Sequence, residues 1–259
     1  PWAEEVTELT PLYEDAAAVI RANDPSAILF LCPRTAASAG APSFLPKPTY
    51  DNFAYAPHFY DALVAVLGFW LGNPTDQAFA RMAAKAAEWD APWLLGEFGA
   101  PGPGGNARGY VDHLYSRLNA TLASGTQWVY TPGWTEAAKD GWNLEDFSIV
   151  DGMGATRPNF RVRPFPRRTA GEPTKLSVRD PQGAVQAGLD YRWEHDPALG
   201  ATEIFAPKDL FRAGAPVVKA EGVSCAYDGA GSLLTCASES AGAKRVLVRS
   251  CEPRWGECD

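Results

Sequence analysis

The residues best suited to chemistry stand at the ends of short apolar runs. Residues 93–99 read Trp-Leu-Leu-Gly-Glu-Phe-Gly behind Pro92. A continuous apolar run of this kind is the pattern of a strand buried on both faces. It delivers one carboxylate, Glu97, between two glycines. A carboxylate there is costly unless it is paired or solvated in a cleft, and glycines let backbone and ligand approach closely. His58 and Tyr60 end a second run, residues 53–60, and Trp128 and Tyr130 end a third, residues 125–130. Each has a plain alternative: a solvated glutamate, a satisfied core histidine, a packed indole. If the runs are neighbouring parallel strands, their carboxyl ends form one rim, and chemistry collects at that rim in parallel α/β architectures.

The intervening stretches supply what such strands need. Val6, Leu9, Leu12, Tyr13, Ala16, Ala17 and Ile20 recur close to a 3.6 period and predict a helix over 3–23, stopped by Pro25. Residues 28–32 are a short buried strand, followed by a Gly/Pro/Ser/Ala-rich loop to about Tyr50. Helices are predicted over 75–89, with Phe79, Met82, Ala83 and Ala86 on one face, and over 107–124. Residues 101–105 (Pro-Gly-Pro-Gly-Gly) form a loop that fits no phosphate cradle. The order β-α-β-α with short apolar strands implies a parallel sheet flanked by helices, and four such units make half of a (β/α)8 barrel. From about Phe165 the texture changes to short alternating runs at 175–178, 191–194, 203–206 and 246–248, which predicts a small antiparallel β-sandwich. The expected domains are residues 1–160 and 161–259.

Charge and cysteines follow the same division. Residues 1–150 hold 8 Lys/Arg against 17 Asp/Glu, and 151–259 hold 15 against 14. The net charge of −8 argues against nucleic acid as a partner. Cys32 sits alone in an apolar run, whereas Cys225, Cys236, Cys251 and Cys258 crowd the C-terminal end. Their pairing is open; 225–236 with 251–258 is the simplest of three connectivities. No C-x2-C spacing occurs and no histidine lies nearby, so disulfides of a secreted protein are preferred to zinc. His58, His113 and His195 are far apart and in no ligand spacing, so neither a metal nor another cofactor is expected. No G-x-S-x-G elbow for a serine nucleophile occurs. Asn119-Ala120-Thr121 is a formal glycosylation sequon within a predicted helix.

Gly96-Glu97-Phe98-Gly99, preceded by Ala56-Pro57-His58-Phe59-Tyr60-Asp61, resembles the retaining (β/α)8 glycosidases that include glycoside hydrolase family 5. Residues 52–61 and 140–151 together are similar to the endoglycoceramidase branch. The resemblance spans nearly the whole chain, tightly over 50–151 and loosely beyond. It implies an endo-β-glycosidase that frees the glycan of a glycosphingolipid from ceramide. Retaining hydrolysis needs two carboxyl groups about 5–5.5 Å apart. The resemblance makes Glu97 the nucleophile, Tyr60 the residue that hydrogen-bonds it, and His58 a lining residue of the same subsite. Trp128 matches the aromatic platform under the sugar, with Trp134 a second choice and Tyr130 a neighbour on the same rim.

The partner carboxylate departs from the pattern. In this family it belongs to an Asn-Glu-Pro triplet; this chain opens Pro1-Trp2, as if cut directly after that Glu, and holds no other Asn-Glu. The expectation is therefore the second half of a TIM barrel, inactive alone, with the missing N-terminal half as a partner. Residues 62–71 are almost wholly apolar and follow the Tyr60 rim. They are either a buried barrel helix or an apolar lip for a lipid aglycone. Arg157, Arg161, Arg163, Arg167 and Arg168 form a junction that could meet anionic headgroups or simply be solvated, and membrane contact is expected only through the substrate. Two alternatives stand beside the glycolipid reading: a non-catalytic fragment that binds glycans, and a β-glucosidase acting on sterol or other lipid glucosides.

Overall fold

The computed structural model describes residues 3–67, 69–102, 106–142, 145–180 and 187–251. Residues 1–2, Gly68, part of the predicted 101–105 loop, Asn143, Leu144 and Cys258 lie outside the described residues. The chain divides into two units, Pro1–Arg161 and Val162–Asp259.

The first unit alternates strands and helices. The predicted first helix begins as a π-helical segment, Glu5–Leu9, before helix α1, Thr10–Asn23. Pro11 cannot donate a backbone hydrogen bond, which interrupts the regular ladder at that point. Glu5 is fully buried there. Its carboxylate accepts from the backbone N–H groups of Arg34 (3.1 Å) and Phe44 and from the Ser43 hydroxyl, tying down the loop after the first strand. That strand, β1, is Leu29–Leu31, and a short helix α2, Thr35–Ser38, lies within the subsequent loop.

The run 53–60 is two strands, β2 (Phe53–Tyr55) and β3 (His58–Phe59). Pro57 divides them, having no N–H for a ladder; its carbonyl accepts from Gly96 N–H at 2.8 Å. The split lets the chain change neighbours. β2 pairs in parallel with β1, while β3 pairs in parallel with β4, Leu94–Phe98, with His58 opposite Glu97. Tyr55 bridges Trp93, which joins the two pairs. Helix α3 is Ala62–Leu67 and helix α4 is Asn73–Trp89. After β4 come helix α5, Ala107–Thr121, and strand β5, Ser124–Gln127, parallel to β4. Leu122, in the left-handed region, ends α5 earlier than the periodicity predicts.

The core of this unit lies between strands and helices. Leu95 and Phe98 of β4, Phe79 and Met82 of α4, and Tyr110, Leu114 and Leu118 of α5 pack together, with Trp89 wholly buried at the end of α4. Burying Leu95 and Phe98 contributes about 1.5–3 kcal/mol each. A regular strand would place residues three apart on opposite faces. The register shifts between Leu95 and Phe98, so both reach this core. Gly96 is suited to that irregularity, and the shift leaves Glu97 free of the helix-side core.

The second unit holds two four-stranded antiparallel sheets. One, in the order β10-β13-β8-β7, is built from Val217–Glu221, Gly242–Arg249, Gly188–His195 and Gly171–Arg179. The other, β11-β12-β9-β6, is built from Ser224–Asp228, Leu233–Ala237, Thr202–Phe205 and Phe165–Arg168. Alternation is clear in β8, where Leu189, Tyr191, Trp193 and His195 are buried. Leu189, Tyr191 and Trp193 share one core with Val246 and Val248 of the same sheet and Ile204 and Leu234 of the other. Cys225 and Cys236 face each other across β11 and β12 and form a disulfide. Cys251 is also disulfide-bonded.

Candidate active site

β3 and β4 bring three groups to one point. His58 and Glu97 are register partners on adjacent parallel strands, and Tyr60 follows β3 by one residue. The Tyr60 hydroxyl donates to Glu97 Oε1 at 2.5 Å. His58 Nδ1 lies 3.6 Å from Glu97 Oε2, an electrostatic contact rather than a hydrogen bond. The Glu97 and His58 side chains are 29% and 36% exposed, so the carboxylate is open to a ligand while both oxygens are attended. Burial, and then the hydrogen bond and charge of Glu97, push the Tyr60 phenol far above its ordinary range. Tyr60 therefore remains a proton donor to Glu97 at any pH a protein meets.

The backbone around this point is tightly specified. Tyr60 N–H donates to Ser38 O at 2.7 Å. The next residue, Asp61, is buried and starts α3: its Oδ1 accepts from Leu63 N–H (2.9 Å) and Val64 N–H (3.4 Å). Asp61 N–H donates to the Tyr110 hydroxyl at 3.1 Å, which ties the Tyr60 turn to α5. Close approach demands glycine at 99 and favours it at 96. A methyl on Gly96 would stand 3.2 Å from the His58 ring, and one on Gly99 only 2.5 Å from the Trp128 carbonyl oxygen.

Trp128 follows β5, and its backbone N–H donates to Phe98 O at 2.8 Å, which places the residue beside the end of β4. The Trp128–Val129 peptide is cis. Tyr130 is exposed. Trp134 is engaged by other groups: its indole N–H donates to Asp146 Oδ1 at 2.8 Å, and the Arg157 guanidinium lies 4.6 Å over its ring. Arg157 binds both Asp146 oxygens, at 2.7 and 2.9 Å. Burial pushes the Asp146 carboxyl up, but these donors and the Arg157 charge bring it below its ordinary range. Thus the structure gathers Glu97, Tyr60, His58 and Trp128, and commits Trp134 to an ion-pair cluster.

Three further residues belong to this neighbourhood. Phe147 meets the Tyr60 ring edge-on at 5.8 Å. Cys32 is free and half-buried at the end of β1; burial and the Glu97 charge push its thiol up. Burial first, then the charges of Asp140 and Glu97, push the Glu145 carboxyl above its ordinary range. Only Cys32 and the 140–151 stretch carried any signal in the sequence. Among the described residues, no group of three or more His, Cys, Asp or Glu is arranged to hold a metal ion, and no helix is long and apolar enough to cross a membrane.

A carboxylate at the end of a parallel strand, held by a phenol and open to a ligand, is suited to nucleophilic attack. The family described as cellulase (glycosyl hydrolase family 5) matches residues 1–134, just over half of the chain. The chain belongs to glycosyl hydrolase family 5. It is 28% identical over 226 residues to a glucosylceramidase of Cryptococcus neoformans var. grubii, covering 62% of this chain and 30% of that protein. Among solved structures, it resembles endo-glycoceramidase II from Rhodococcus sp. captured as a lactosyl-enzyme intermediate, with TM-score 0.74 and 25% identity. That likeness covers 96% of this chain and 55% of the other, so the chain spans about half the length of that relative. Sterylglucosidase 1 of Cryptococcus neoformans shares the fold, with TM-score 0.68 and 16% identity over 92% of this chain and 43% of that one.

Proposed function

We propose that this chain supplies the nucleophile half of a retaining β-glycosidase that hydrolyses the bond between a glycan and its lipid, with ceramide as the foremost aglycone. The observation that carries the reading is the 2.5 Å hydrogen bond from Tyr60 to Glu97, on a carboxylate open to a ligand. Glu97 attacks the anomeric carbon, and Tyr60 holds one of its oxygens so that the other is aimed. A retaining mechanism passes through a glycosyl-enzyme ester, and the Rhodococcus enzyme was captured as a lactosyl-enzyme intermediate. The acid/base carboxyl comes from a segment outside this chain, which pairs with β1 to complete a (β/α)8 barrel. The Cys225–Cys236 disulfide supports an exported protein.

The lipid part of the reading draws on α3 and the apolar residues beyond its C-terminal end. Val64 is buried and the half-buried Trp70 packs on Tyr110 and His113, but Leu67, Phe69 and Leu71 are 60%, 46% and 66% exposed. α3 starts at the rim and is six residues long, so Leu67 stands about 7.5 Å along it. Grouped apolar exposure of this kind marks an interaction surface.

The experiment is glycan release from a ganglioside and from lactosylceramide by the natural protein containing this chain, beside its Glu97→Gln variant. The variant is expected to release none; equal release by both proteins removes Glu97 as nucleophile. Steryl β-glucoside, run in parallel, decides between the two lipid classes. Serine at positions 67, 69 and 71 is expected to slow glycolipid hydrolysis and spare a soluble aryl glycoside.

A further inference from the structure

Asp61 is a buried carboxylate that attack through Glu97 does not use. The segment carrying the exposed Leu67, Phe69 and Leu71 is fastened to it at both ends. At the near end, Asp61 Oδ1 accepts from Leu63 N–H at 2.9 Å and Val64 N–H at 3.4 Å, as an N-cap does for α3. At the far end the fastening is a relay. The Trp70 indole N–H donates to Thr75 Oγ1 at 3.2 Å, and that hydroxyl donates to Asp61 Oδ2 at 3.4 Å. A threonine hydroxyl has one proton to give and two lone pairs that accept, so Thr75 serves Trp70 and Asp61 at once. Thr75 is wholly buried in the first turn of α4, the helix that sends Phe79 and Met82 into the core.

This arrangement answers a physical need. A helix of six residues is too short to be stable by itself. Exposed apolar side chains do not repay the entropy of ordering it. The order comes instead from the buried anchor, aided by Trp70, whose ring lies 4.8 Å from that of His113 and 6.1 Å from that of Tyr110. The same anchor serves the nucleophile. Asp61 N–H donates to the Tyr110 hydroxyl, and the preceding residue is Tyr60, which donates to Glu97. One turn of chain thus supports both the phenol on the nucleophile and the apolar surface beyond α3. An apolar surface ordered in advance binds a lipid without paying for that order on binding.

We propose that Asp61 is a positioning residue for the aglycone: through Thr75 it holds Trp70, and with it Leu67, Phe69 and Leu71, as a preordered apolar surface, so that lipid glycosides are preferred to soluble ones. The proposal rests on the reading of those three side chains as the lipid-facing part of the site.

The test is the ratio of kcat/KM for lactosylceramide in detergent micelles to that for a soluble aryl lactoside, measured on the natural protein containing this chain. Thr75→Val removes the hydroxyl and keeps the branched shape; Thr75→Ser keeps the hydroxyl and removes a methyl. Asp61→Asn keeps an acceptor for the α3 amides, since asparagine caps helices about as well as aspartate, but its amide nitrogen cannot accept from Thr75. Thr75→Val and Asp61→Asn are expected to lower the ratio about three- to tenfold, the range for a hydrogen bond between neutral groups. The fall should lie in KM for the glycolipid, with the aryl lactoside within twofold of the parent. Thr75→Ser should keep the ratio within twofold. A packing role alone predicts the reverse order, with the methyl deletion the worse change, or an equal loss on both substrates; either result overturns the proposal, as does a ratio unchanged in Thr75→Val. Thr75→Val reads the relay even if Asp61→Asn fails to fold. Serine at 67, 69 and 71 separates the two readings. If it lowers the ratio and Thr75→Val does not, the lipid surface stands and the role of Asp61 falls. If it leaves the ratio unchanged, the lipid surface falls and takes that role with it.

Discussion

Replacing Tyr60 by Phe tests the central geometry with the least disturbance. The substitution keeps the ring that meets Phe147 at 5.8 Å and removes only the hydroxyl that donates to Glu97 at 2.5 Å. Hydrogen bonds to charged groups contribute about 1.5–3 kcal/mol. At about 1.4 kcal/mol per tenfold in rate, the loss falls between roughly 10- and 150-fold. Because the Tyr60 phenol keeps its proton far above its ordinary range, the loss should persist at about pH 9. The assay is covalent trapping with a dinitrophenyl 2-deoxy-2-fluoro glycoside, followed as mass gained by the peptide carrying Glu97. A leaving group this activated needs little protonation, so the rate isolates attack by the carboxylate. Trapping of Tyr60→Phe within twofold of the parent, with Glu97→Gln inert, would refute the claim that the phenol orients the nucleophile.

Gly99→Ala should cost about 1–3 kcal/mol of stability and displace Trp128, because the new methyl meets the Trp128 carbonyl at 2.5 Å; thermal unfolding and trapping rate should fall together. The Asp146–Arg157 pair should lend stability only above acid pH. The folded-state pKa of Asp146 lies below its unfolded value, so the contribution is present above the unfolded pKa and disappears as pH falls through the folded one. An Asp146→Asn variant should therefore be less stable than the parent at neutral pH and converge with it in acid, as followed by denaturant unfolding. Glu145 has the opposite sign: its folded-state pKa is raised, so Glu145→Gln should raise the unfolding temperature at neutral pH and lose that advantage in acid. Reducing the Cys225–Cys236 bond, which closes a loop of sequence separation 11, should destabilise the second unit by about 2–3 kcal/mol in urea unfolding.

The rim was legible in the sequence because it depends on local order. An apolar run that ends in His58, Tyr60 or Glu97 states which residues arrive at a strand's carboxyl end, and alternation with helices states that the strands are parallel. Two irregularities escaped that reading. Pro57 divides residues 53–60 so that β2 and β3 have different partners, and the register shift in β4 sends Leu95 and Phe98 to one core. Both are properties of pairing between strands, and a single strand's periodicity carries no record of its neighbour.

The two indoles mark the same boundary. Trp128 is the first choice and Trp134 the second for the platform, and it takes the folded chain to show which groups engage Trp134. Asp146 and Arg157, 12 and 23 positions beyond Trp134, fold back to take its N–H and cover its ring. Phe147 returns in the same way to the Tyr60 ring. Residue order alone dictates which side chains the strands present and that Glu97 arrives among glycines. Which of those side chains stay open to a ligand depends on loops closing over long separations, where contact arises from chain path rather than from spacing.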